Sequence, residues 1–192
     1  MRWSRMALLT VAALATGYAS WWAEGPRYAH AADKSASSVK LQILDWEATQ
    51  KLIASKKGKI VVLEWFNFEC PFVQYNYQAN TMTSLAAKYK DKNVVWLAIN
   101  STSHVTPEAN KEFAAKHNLP YPILDDRAGQ VGRAYGAKTT PHIFIIAPGG
   151  QIVYNGAIDN SPLGKTPAGE KPANYVDQAL SELLAGKKVS VA

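Results

Sequence analysis

The alternation of apolar and polar positions divides the chain into segments before any single residue is weighed. An apolar stretch over residues 6–19 follows Arg2 and Arg5, and Ala29-His30-Ala31 sets small residues where a signal peptidase inspects its substrate. Residues 1–31 therefore read as a signal peptide, and cleavage there makes the protein exported, to the periplasm or cell envelope. The alternative is an uncleaved leader acting as an anchor, the only form in which the chain would meet a membrane. Residues 32–38 are small and polar and read as a flexible tether. Residues 39–192 form the folded domain.

Within that domain, residues 41–44 suit a short edge strand, and Asp45 suits the N-cap of a helix through Ile53. Residues 60–66 form a nearly unbroken apolar run of β-branched and aromatic types, which predicts a central strand covered on both faces. Met82, Leu85, Ala86 and Tyr89 recur at helical spacing and predict one helix over residues 71–89. Further strands are expected at 94–100 and 121–124, and helices at 107–117 and 128–135, the last closed by Gly136. The strands at 142–146 and 151–154 flank Ala147-Pro148-Gly149-Gly150, a strong hairpin signal. Asn155-Gly156 reads as a bulge or a second turn, and Asp125-Asp126 as a solvated turn and helix start. A surface loop over 162–172 precedes a closing amphipathic helix marked by Val176, Ala179, Leu180 and Leu183. The expectation is an α/β fold, with a mixed central sheet flanked by helices and a C-terminal β-hairpin and helix.

Composition narrows the function classes. With 192 residues, 47% hydrophobic and 19% charged, the chain suits one globular domain rather than a disordered, collagenous or polytopic membrane protein. Its net charge of +6 comes from scattered lysines, not from a basic stripe with interleaved aromatics, so no nucleic-acid partner is expected. The chain has a single cysteine, which excludes an intramolecular disulfide, a multi-cysteine zinc site and a dithiol pair.

That cysteine, Cys70, falls where a buried strand meets a helix. Unpaired backbone N–H groups and the helix dipole there favour a thiolate. The neighbouring Glu69 opposes it. The residue is either a reactive thiol or a buried structural one. Tyr75 and Tyr77 either line the approach to it or pack at the surface.

The run Trp65-Phe66-Asn67-Phe68-Glu69-Cys70-Pro71-Phe72-Val73, with Thr139-Thr140-Pro141-His142 opening a later hairpin, resembles the thioredoxin-like superfamily. Within it the chain is similar to the redoxin branch, the AhpC/TSA peroxiredoxin-like and TlpA-like proteins. The resemblance implies a thioredoxin-like fold in which Cys70 lies beside a cis-proline, Pro141. It makes Cys70, Asn67, Thr140 and Pro141 the catalytic set. Trp65, Phe68, Pro71, Phe72 and His142 would surround the substrate, with Trp65 open to a core position instead. No cofactor is implied.

The departures from the family carry chemistry. Val73 stands where thioredoxins and TlpA-like reductases have their second cysteine. Asn67 and Leu63 replace a threonine and a proline of peroxiredoxins, and no residue matches the peroxiredoxin arginine. One thiol attacks but does not resolve, so the expected partner is a protein or small thiol, a disulfide or a peroxide. Two other readings stand beside this one. The domain is a non-catalytic binding module of the cell envelope with an inert cysteine, or Cys70 and His142 hold a soft metal on only two ligands.

Overall fold

The sheet is built outward from the most apolar strand. The computed structural model describes residues 51–191 except 53. The leader, the tether, the strand at 41–44 and most of the helix expected from Asp45 lie outside the described residues. The central strand β1 (Ile60–Trp65) is buried throughout. It pairs in parallel with β2 (Val94–Asn100), which pairs in parallel with β3 (Ile123–Asp125). On its other side β1 meets β4 (His142–Ile146) antiparallel, and β4 meets β5 (Ile152–Gly156) antiparallel. The sheet order is β3-β2-β1-β4-β5.

The two-residue period of β1 sends its side chains to two cores. Ile60, Val62 and Phe66 face one cluster, closed by α1 (Pro71–Gln78), α2 (Thr81–Tyr89) and α5 (Tyr175–Leu184). Val61, Leu63 and Trp65 face the other, with Val131 of α4 (Gln130–Tyr135) and Phe144 of β4. The remaining helix, α3 (Pro107–Lys116), opens on Thr106, whose hydroxyl accepts the Ala109 N–H at 3.2 Å, with Pro107 in the first turn.

The single helix expected over residues 71–89 is two. Asn80 takes a left-handed φ of 57° between α1 and α2. The buried residues explain the break. Val73 and Tyr77 share one helical face, but Met82 lies five residues after Tyr77 and would point about 140° away on a straight helix. Resetting the helix at Asn80 turns Met82, Leu85 and Tyr89 inward, and asparagine tolerates that conformation better than most residues.

Smaller differences have local causes. Strand β3 starts at Ile123, after Pro122, which has no N–H to give the ladder. Strand β5 runs through Gly156, so Asn155 and Gly156 are paired strand residues, and the register shift falls at Ile145 and Ile146 instead. Helix α4 begins at Gln130. Asp126, expected to be solvated, is fully buried and accepts N–H bonds from Val131 and Gly132 at 3.1 and 2.9 Å, capping α4. Asp125 is buried too and pairs with the Arg127 Nε at 2.9 Å. The hairpin forms as expected, with Gly150 at a φ of 89°.

Candidate functional site

Cys70 is the N-cap of α1, with Pro71 starting the first turn and the Cys70 carbonyl accepting the Gln74 N–H at 2.9 Å. The approach from β1 is a tight turn. The Asn67 carbonyl accepts the Cys70 N–H at 3.0 Å, and Asn67 Oδ1 accepts the Glu69 N–H at 2.8 Å. Gln74 Nε2 donates to the Phe68 carbonyl at 3.0 Å, and Phe68 stacks on Phe113 at 5.5 Å between centroids. The thiol is thus held by a loop fastened at both ends, and it is half-buried.

Across from it lies the segment entering β4. The Thr140–Pro141 peptide is cis, and Cys70 Sγ donates to the Thr140 carbonyl at 3.1 Å. Residues seventy positions apart therefore meet at the sulfur. Val73 is 1% exposed, so the position three residues after the cysteine faces the core and not the cleft. Glu69 is exposed and lies against His104, whose Nε2 is 2.9 Å from its carboxylate, so the acid beside the thiol has a cationic partner whenever that histidine is protonated.

The other residues expected around the substrate divide. Pro71 and Phe72 are exposed next to Cys70, Phe72 by 42%. Trp65 is a correction: of its two open positions it takes the core. Its ring is 2% exposed, packs on Tyr135 and Phe144, and donates Nε1 to Ser101 Oγ at 3.2 Å. As the last residue of β1 it points away from α1, and it packs closely on Gly132, where a Cβ would stand 3.2 Å from Trp65 Nε1.

His142, at the start of β4, is held by protein on both ring nitrogens. Nδ1 accepts the Lys138 N–H at 3.1 Å, and Nε2 lies 2.6 Å from Asn155 Oδ1, which must accept. Both nitrogens are occupied by protein, which leaves no lone pair for a metal shared with Cys70. Burial holds the ring below its ordinary value of 6.5; the Asn155 bond opposes this and Lys138 adds to it.

Beneath the site lies a polar cluster that the reading of the chain missed. Glu64 is fully buried in the middle of β1. Its Oε1 accepts from Tyr77 at 2.9 Å, and its Oε2 from Trp96 Nε1 at 3.2 Å and Tyr121 at 3.3 Å. Tyr77 is therefore neither at the surface nor along the approach to the thiol. Burial pushes the Glu64 carboxyl up to about 7, against the pull of the Trp96, Tyr77 and Tyr121 bonds. Its one sequence signal was a lone charge inside an otherwise apolar strand.

Comparison with known proteins places these features in a family. The model described as the AhpC/TSA family matches residues 32–155. The thiol-disulfide oxidoreductase ResA of Geobacillus thermodenitrificans is 31% identical over 147 residues, covering 76% of this chain and 79% of the relative. ResA of Halalkalibacterium halodurans is 28% identical over 155 residues, covering 79% and 83%. Among solved structures, an uncharacterized conserved protein of Geobacillus kaustophilus superposes with a TM-score of 0.63 at 30% identity, covering 72% of this chain and 74% of that one. The fold is thioredoxin-like.

Proposed function

This chain belongs to the AhpC/TSA family and is a thiol-dependent oxidoreductase, and we propose that it exchanges disulfides through Cys70 alone. In the first step the Cys70 thiolate attacks a partner disulfide. One sulfur–sulfur bond breaks, a mixed disulfide forms on Cys70, and the partner's other sulfur leaves as a thiolate that takes a proton. In the second step an external thiolate attacks the mixed disulfide, frees Cys70 and carries the new disulfide away. The protein returns to its starting state, and the disulfide has moved from one partner to another.

The observation that carries this reading is the position of the lone sulfur, 3.1 Å from the carbonyl preceding Pro141 at the start of a helix. The Thr140 backbone at the entry to β4 offers pairing groups to a peptide partner beside the sulfur. With valine at position 73 and one cysteine in the chain, the resolving thiol comes from outside. Disulfide exchange is preferred to peroxide reduction because the matched relatives are thiol-disulfide oxidoreductases and the peroxiredoxin arginine has no counterpart. Export belongs to the same reading and is supported by the basic and apolar pattern of residues 1–31.

Trapping tests the proposal. Reduced protein incubated with glutathione disulfide is expected to gain one glutathione per chain, lost again on adding dithiothreitol, with no uptake by Cys70→Ser. A folded wild-type protein that takes up no adduct at neutral pH would favour the inert binding module.

A further inference from the structure

His142 stands out because its two ring nitrogens hold two different elements around the segment that meets the sulfur. The Lys138 N–H at the start of that segment donates to Nδ1, and Nε2–H donates to Asn155 Oδ1 on β5. Between Lys138 and His142 lie Thr139, Thr140 and Pro141. The ring itself packs on Phe144 at 4.6 Å between centroids. The bonds on both sides fix the tautomer: a backbone N–H aimed at Nδ1 requires a lone pair there, so the proton is on Nε2.

We propose that His142 is a positioning residue for Cys70: as the neutral Nε2–H tautomer it closes residues 138–142 into one loop and so holds the Thr140 backbone beside Sγ as the edge on which a disulfide partner docks. The proposal rests on the exchange reading above and adds a regulation to it. Protonation converts Nδ1 from acceptor to donor and turns it against the Lys138 N–H. The loop then loses its closing bond, and Thr140 loses its fixed place opposite the sulfur. Exchange at Cys70 is thereby coupled to the charge of His142.

The groups facing His142 support a neutral ring. Its partner across β1 is Trp65, and the β5 residue at its Nε2 is Asn155, neither of them charged. Tyr135 of α4 packs on Trp65 and Phe144 nearby. On the loop itself Lys138 is the charged neighbour and disfavours a second positive charge. Glu64, one residue back along β1, points to the opposite face of the sheet, among Tyr77, Trp96 and Tyr121. Burial acts in the same direction as Lys138.

The test separates positioning from thiolate supply. Two rate constants are measured from pH 5 to pH 8 on the full chain: mixed-disulfide formation with glutathione disulfide, and alkylation with iodoacetamide. Both need the thiolate, so their ratio reports how well the sulfur is placed. For the wild type the ratio is expected to fall as the pH drops from 8 to 5. In His142→Phe, which keeps the ring packing and loses both bonds, the ratio should be about fivefold lower at pH 8, the value of one hydrogen bond, and independent of pH. His142→Asn, whose Oδ1 still accepts the Lys138 N–H and does not titrate, should recover most of that loss and also show no pH dependence.

A wild-type ratio that is flat with pH, or a His142→Phe ratio equal to wild type at pH 8, overturns the proposal. Should His142→Phe fail to fold, the Asn variant and the wild-type ratio decide alone. A nitrogen-15 spectrum of the wild type adds an independent readout: the Nε2–H tautomer near pH 8 is expected, and the Nδ1–H tautomer contradicts the proposal. If alkylation proceeds but no variant forms a mixed disulfide, the exchange reading fails; if exchange proceeds without regard to His142, this inference alone fails.

Discussion

Replacing Glu64 by glutamine isolates the cost of a buried carboxylate under the site. Glutamine fits the same hydrogen bonds. With its amide nitrogen in place of Oε1 it donates to Tyr77, Tyr77 donates to Tyr121 across their 3.1 Å contact, and the remaining oxygen accepts from Tyr121 and Trp96. What changes is the charge. The wild-type carboxyl titrates near 7 when folded and near its ordinary 4.5 when unfolded, so the folded state binds the proton more tightly. Its contribution is therefore fully present below pH 4.5 and is lost as the pH rises through 7. The shift corresponds to about 3 kcal/mol in all, of which about 2–3 kcal/mol falls between pH 5 and pH 8. Urea unfolding of both proteins, followed by circular dichroism at several pH values, gives the difference directly. Glu64→Gln should gain on the wild type by that amount as the pH rises from 5 to 8. A difference between the two that stays constant over this range would refute the reasoning, because it would mean that the carboxyl is not desolvated in the folded state.

Three further outcomes follow from the packing and the turns. Asn80→Val should cost about 1–2 kcal/mol in urea unfolding, because a β-branched residue resists the left-handed φ that separates α1 from α2; an unchanged midpoint would contradict the role given to that break. Tyr89→Phe removes a hydroxyl lying 2.6 Å from Asp177 Oδ1 and 2.8 Å from Ser181 Oγ, and should lower stability by about 1 kcal/mol while leaving glutathione uptake at Cys70 unchanged. Val73→Cys puts a second thiol three residues after the first, on the first turn of α1. Mass spectrometry after glutathione disulfide should then find an intramolecular disulfide in place of the wild-type adduct, although Val73 is buried and some stability is lost with it.

The order of elements was legible because most of it follows from period and punctuation. Residues 94–100 alternate between two cores, Gly136 ends α4 in a left-handed conformation, and the Pro-Gly-Gly turn makes a hairpin. The helix break at Asn80 was also present in the spacing, since five positions separate Tyr77 from Met82, but the regular spacing after Met82 masked it. The site was legible where chemistry and chain order coincide, at Cys70 beside its helix. It was not legible where side chains choose a face: Trp65 ends a strand whose odd positions turn toward Phe144, and His142 shares that side of the sheet. Glu64 and Tyr77 come from β1 and α1 and meet only once the helix has packed, so no local pattern announces their bond. The same holds for Asp126, whose acceptors are filled by α4 folding back over it.

The most direct measurement compares the rate at which glutathione disulfide modifies Cys70 in the native protein and in the urea-unfolded chain at the same pH. If the fold prepares the sulfur for exchange, the native protein reacts faster, and an added thiol returns it to its original mass. A native cysteine that reacts more slowly than the unfolded one, or only after denaturation, would show that the fold shelters the thiol, and the exchange mechanism would fail.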